Sequence, residues 1–315
     1  MTDAAVASAP STHAPERMLW QATALSVAMW LLFAAASVTD ARLFNGVDVW
    51  IKPQKFALSV AVHFATMAWA LSWMSDRTRG GRVLGGVIAL GVVCGVVEVI
   101  YIGVQAGLGQ ASHFNVSSDF HAAAYTLMGV GAVILVAVSF EVGRRAAVDG
   151  AGRFGPGLRF GLALGLMGGS AATVFLGGYL GAQTSHHVGV QLPDSEGLPF
   201  VGWATATGDV RPAHFVATHL MQAAPAVGWA ADRWGLPMPK VWVAGVSAAW
   251  LALALWMFAR SWGTAFPAVL SPRITKAPRT GVRGAFGRRR GCQPFCSTRR
   301  PRSSAICTAF SAAPL

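Results

Sequence analysis

Long apolar runs alternate along this chain with short polar stretches rich in turn residues. Seven runs reach the ~20 residues needed to cross ~30 Å of hydrocarbon. They fall near residues 18–38, 56–75, 84–106, 120–141, 158–180, 212–231 and 241–260. Runs of this length at this frequency predict an all-α fold, a polytopic transmembrane helix bundle of about seven spans. Composition agrees. Mean hydropathy is +0.49, and only 12% of the 315 residues are charged while 54% are hydrophobic. That balance excludes an ordinary water-soluble domain.

Basic residues orient the bundle. With a cytoplasmic N-terminus, ten Lys and Arg fall on the cytoplasmic side, from Arg17 through Arg77, Arg79, Arg82, Arg144, Arg145, Arg153, Arg159 and Arg233 to Lys240. Five fall on the other side, namely Arg42, Lys52, Lys55, Arg211 and Arg260. The positive-inside bias therefore favours N-in, with the first, third and fifth loops outside. Residues 1–17 read as a disordered leader, 18–262 as the transmembrane domain and 263–315 as a disordered basic tail. Ala34-Ala35-Ala36-Ser37 resembles a signal-peptide cleavage site. The long leader carrying Asp3 and Glu16 favours a retained span instead.

The tail breaks the pattern. Residues 271–315 hold ten of the 25 basic residues, no acid and three of the four cysteines. Leaving them out takes the net charge from +12 to +2. One reading is a polybasic arm for anionic lipid or nucleic acid. The favoured one is an out-of-frame extension of a GC-rich gene, rich in Arg, Pro, Ser, Ala and Gly. The basic pI is then no sign of nucleic-acid binding, and none is expected. Cys292 and Cys296 lack a nearby His or second cysteine pair, which argues against zinc.

Small and polar residues mark different faces of the spans. Gly157, Gly161, Gly165, Gly169, Thr173, Gly177 and Gly181 form an i+4 row in the fifth span, which predicts close helix packing. Gly91 and Gly95 in the third span are the expected partner surface. Polar rows run along four other faces. They are Lys55, Ser59, His63 and Thr66; Cys94, Glu98, Tyr101 and Gln105; Asp119, His121 and Tyr125; and His214, Thr218 and Gln222, with His219 to the side. All lie in the outer half of the bundle, as do seven of the eight histidines. Each row alone is explained by an interhelical hydrogen bond. Together they predict a polar site, in which a carboxylate at Glu98 is the sharpest functional signal.

Imidazole and carboxylate suit a transition metal or haem. His63, His121, His214 and His219 are the candidate cofactor ligands, with Glu98 as a fifth metal ligand or proton acceptor. Glu98 and Tyr101 are the candidate catalytic groups, with Tyr125 supporting. His214 and His219 are five apart and diverge by about 140° on a helix, unlike the i+4 pair of helix-borne zinc hydrolases. No span supplies the paired histidines of a two-haem cytochrome b. A redox-type metal or haem protein is the first expectation. A proton-coupled small-solute transporter or sensor is the second, and a structural membrane subunit the third. Walker, G-x-S-x-G, Rossmann and His-Glu-x-x-His motifs are absent.

Lys52 and Lys55 suit either lipid phosphates or an offset to Asp48, Glu98 or an anionic substrate. Asp209 suits either a cap for the sixth span or a partner for Arg211. The stretches Val49-Trp50-Ile51-Lys52-Pro53-Gln54-Lys55-Phe56-Ala57-Leu58-Ser59 and Gly202-Trp203 through Gly208-Asp209-Val210-Arg211-Pro212-Ala213-His214-Phe215 resemble a family of bacterial polytopic membrane proteins without assigned activity. The resemblance covers residues ~18–262 and implies a multi-pass protein of the bacterial inner membrane, in contact with the lipid bilayer. It transfers no site residue.

Overall fold

Proline opens four of the helices, where its missing N–H has no helical partner to lose. Pro15, Pro156, Pro212 and Pro239 stand in the first turns of α1 (Ala14–Thr39), α6 (Pro156–Ala163), α8 (Arg211–Arg233) and α9 (Pro239–Ser261). The computed structural model describes residues 13–183, 185–188, 196–199, 201–205 and 208–262. The expected tail 263–315 lies outside them. Helix α1 starts inside the stretch read as a leader. The remaining helices are α2 (Ile51–Ser72), the short α3 (Asp76–Arg79), α4 (Arg82–Gly107), α5 (Asp119–Val148) and α7 (Gly169–Gly181). A π-helical turn at Leu164–Gly168 joins α6 to α7 into one continuous rod.

The chain is an all-α bundle and a multi-pass membrane protein. Among the described residues, six helical rods are long and apolar enough to cross a bilayer, namely α1, α2, α4, α5, α6–α7 and α9. The expected sixth span, α8, has the length but is less apolar, and its surroundings explain why. Its Ala213, Ala217, Leu220, Met221, Ala224, Pro225, Gly228 and Ala231 are buried against other helices. Protein rather than lipid covers it, so its remaining face can be polar.

The glycine row of α6–α7 makes this packing close. A Cβ at Gly161 would stand 2.5 Å from the Ala224 carbonyl oxygen, at Gly165 2.7 Å from Pro225 Cδ and at Gly169 2.7 Å from Met221 Cγ. Gly157 and Gly228 touch backbone to backbone. The partner of the row is thus α8, not the expected Gly91–Gly95 face of α4. That face packs elsewhere, with Gly91 under Val138 of α5 and Gly95 under Phe64 of α2. The π turn falls where Pro225, which interrupts the α8 hydrogen-bond ladder, is pressed into the row.

The bundle has two distinct ends. At one, His13 meets Asp76 at 3.1 Å, the Ser75 N–H donates to Asp149 at 2.7 Å, and the N–H groups of Gly157 and Leu158 donate to Asp232 at 2.9 and 2.7 Å. Ten of the basic residues lie towards this arginine-rich end. At the other, Arg42 donates to the Gly107 carbonyl at 3.0 Å and Lys55 to the Val201 carbonyl at 3.1 Å. Strands β1 (Leu43–Phe44) and β2 (Val47–Asp48) form a hairpin here. Its Asn45-Gly46 turn has φ of 52° and 77°, the left-handed pair that a tight hairpin requires. Strands β3 (His187–Val188) and β4 (Gly208–Asp209) pair across the base of the longest loop.

Candidate functional site

The loop-rich end brings a carboxylate and an imidazole together in a largely apolar surrounding. Glu98 projects from α4 about four turns below its start. His113, in the α4–α5 connection, approaches it with Nε2 3.8 Å from Oε1. Their side chains are 11% and 22% exposed, which removes most of the water that would screen each charge. Phe56 of α2 and Tyr125 of α5 face the His113 ring at 5.3 and 6.0 Å. Phe114 follows, its ring tilted against both Tyr125 and His186 at 5.4 and 6.3 Å. Tyr125 donates to the Gly181 carbonyl at 3.3 Å and ties α5 to the end of α7. Lys52 of α2 lies within electrostatic reach of both Glu98 and His113. Burial pushes the His113 imidazole well below its ordinary value, and the Lys52 charge adds to the effect.

The other polar side chains separate into smaller groups. His63 of α2 is buried, and its Nε2 is 3.1 Å from Ser139 Oγ of α5. His219 of α8 pairs through Nδ1 with Gln222 at 3.2 Å, and Gln222 donates to Thr66 of α2 at 3.4 Å. These two groups lie deeper than the Glu98–His113 pair and join α2 to α5 and α8. His214 lies against Gly177 of α7, and its Nδ1 is buried without a hydrogen-bond partner among the described residues. His121 faces the other way, with Ser118 Oγ at 2.8 Å from Nδ1 and Gln110 Oε1 at 3.2 Å from Nε2. Both nitrogens are occupied in fixing the start of α5. Tyr101 stands one turn from Glu98 without a hydrogen bond to it, and its hydroxyl and the Gln105 Oε1 are buried without a partner among the described residues. Among the described residues, no group of three or more His, Cys, Asp or Glu side chains is placed to hold a metal ion.

Of its two expected roles, Asp209 takes the pairing with Arg211; the N-cap of α8 is Val210, with no side-chain cap bond. Asp209 is 1% exposed, accepts the Arg211 N–H at 2.9 Å at the start of α8, and takes the Arg211 guanidinium Nε at 3.1 Å. It also accepts from Ala204 N–H at 3.0 Å, which holds the loop against the helix. Sequence reasoning singled out Glu98 but not His113 as its partner. A histidine in a connection has no helical period to place it. The available signal was its position in the connection that follows Glu98 and Tyr101 on α4, next to Phe114.

Neither a family model, nor a curated protein, nor a solved structure matches this chain. The site is therefore read from its own geometry.

Proposed function

We propose that this membrane protein takes up and releases a proton at the Glu98–His113 pair, as part of a proton-linked small-solute transporter or sensor of the bacterial inner membrane. The observation that carries this reading is the 3.8 Å approach of two largely buried ionisable side chains beneath the loops of one end. An ionisable residue within a span is functional by default. With the imidazole neutral, the Glu98 carboxyl is the group that exchanges the proton. Lys52 offsets the negative charge that remains after release. The unmet hydrogen-bonding atoms of Tyr101 and Gln105, on the same face of α4, supply polar contacts for a small solute. The metal or haem reading draws less support, because His63 and His121 already have polar partners and the five expected ligands divide among separate groups.

The test is a proton count. Purified protein in weakly buffered detergent is stepped between about pH 5 and about pH 8 with an indicator dye, the window in which an imidazole-linked site exchanges protons. The expected result is a release that falls by about one proton per chain in Glu98→Gln. An unchanged count in that variant, or a Soret band or stoichiometric metal in the purified protein, would overturn the reading.

A further inference from the structure

The opposite, arginine-rich end carries a second feature. A cavity of ≈ 450 Å³ opens between the end of α5, the start of α6 and the start of α9. Arg159 and Lys240 line it on one side, and Ala147, Phe154, Phe160 and Ala163 on the other. The Arg159 guanidinium lies 5.1 Å above the Phe154 ring, which holds it at the rim. Neither cation has an acidic partner among the described residues. Asp232, the carboxylate at this corner, is occupied by the Gly157 and Leu158 N–H groups. A neighbouring cavity of ≈ 500 Å³ makes the contrast. Its Arg144 and Arg145 share Glu141 at 2.7 Å, and Asp149 lines it beside Arg77, so its cations stand among carboxylates.

Two unneutralised cations from different helices, set over an aromatic and aliphatic wall on a membrane-embedded bundle, match one ligand class. We propose that this cavity holds an anionic phospholipid, its phosphate between Arg159 and Lys240 and the start of an acyl chain along Phe160 and Ala163. The charge answers the phosphate, and the apolar wall selects a lipid over a free ion. Basic pockets between spans on the cytoplasmic side are suited to such headgroups. The inference rests on the chain being embedded in a bilayer and is independent of the Glu98–His113 reading.

The test uses the full chain in phosphatidylcholine nanodiscs, with phosphatidylglycerol titrated in. Bound lipid is read by native mass spectrometry, and protection by the shift in melting temperature. Lys240→Gln and Arg159→Gln are each expected to weaken phosphatidylglycerol binding about fivefold, and the double variant about thirtyfold. Lys240→Arg retains binding, and Arg82→Gln, a cation removed elsewhere at the same end, leaves it unchanged. Lys240 is exposed, so its substitution leaves the core intact and the melting temperature in pure phosphatidylcholine reports folding separately. Equal weakening by Arg82→Gln would reduce the effect to general surface charge and overturn the proposal. So would protection by inorganic phosphate equal to that by phosphatidylglycerol, or unchanged binding in the double variant.

Discussion

Among the described residues, two glutamates at opposite ends of the bundle are largely enclosed, and they are treated differently. At the arginine-rich end Glu16 is 5% exposed and accepts from Arg79, itself 6% exposed, at 3.1 Å. Arg79 also reaches Asp76 on its own short helix. A guanidinium stays charged at any accessible pH, so that contact is permanent and ties α1 to the α2–α4 connection. At the loop-rich end Glu98 faces an imidazole at 3.8 Å. Burial keeps that imidazole neutral in the physiological range, and the separation is longer than a hydrogen bond, so Glu98 has no permanent counter-charge there. The first pair is a fastener, the second a site that can change state. The partner, rather than the carboxylate, makes the difference.

The largest expected effect breaks the fastener. Arg79→Ala leaves the Glu16 carboxylate buried and uncompensated, and a loss of about 3–5 kcal/mol is expected in denaturant unfolding. Removing both charges with Glu16→Leu and Arg79→Met should recover most of it, because a well-packed apolar pair replaces a buried ion pair at little cost. Next, Arg79→His converts the fastener to the other kind of pair. It should cost about 1–3 kcal/mol at neutral pH and make the melting temperature at this end pH-dependent.

The third outcome concerns His113. Its folded value lies below its unfolded one, so its contribution to stability is fully present above about pH 6.5 and is lost as pH falls towards the folded value. His113→Asn should therefore lose about 1 kcal/mol less than the parent between about pH 7.5 and about pH 5.5, read by thermal unfolding at each pH. The smallest effect is expected at His121. Its partners are Ser118 and Gln110 near the surface, so His121→Ala should cost about 1 kcal/mol or less and leave the proton count unchanged.

Much of this architecture was legible as sequence. The seven apolar runs correspond to the long rods, since ~20 apolar residues with few charges have no other stable arrangement in lipid. The glycine row announced a close contact but not its partner, because small residues state how near a neighbour comes and not which one it is. The partner proved to be α8, the run with the weakest apolar signal. Its histidines, Thr218 and Gln222 are tolerated because α6, α7 and α9 surround it. Glu98 was visible as an anomaly in an apolar helix. His113 was not, because loop residues carry no period. The polar rows of α2 and α8 do meet, at Thr66 and Gln222, while the row opening α5 divides, with Tyr125 turned toward His113 and His121 toward Gln110.

The Glu98 carboxyl itself can be observed. Infrared difference spectra recorded between about pH 5 and about pH 8 report a protonated carboxyl in the interior as a carbonyl stretch separate from the amide bands. The expected result is a band that grows as pH falls and is missing in Glu98→Gln. A pH-independent spectrum, or the same band surviving in that variant, would contradict proton exchange at this residue and leave both buried glutamates as fasteners.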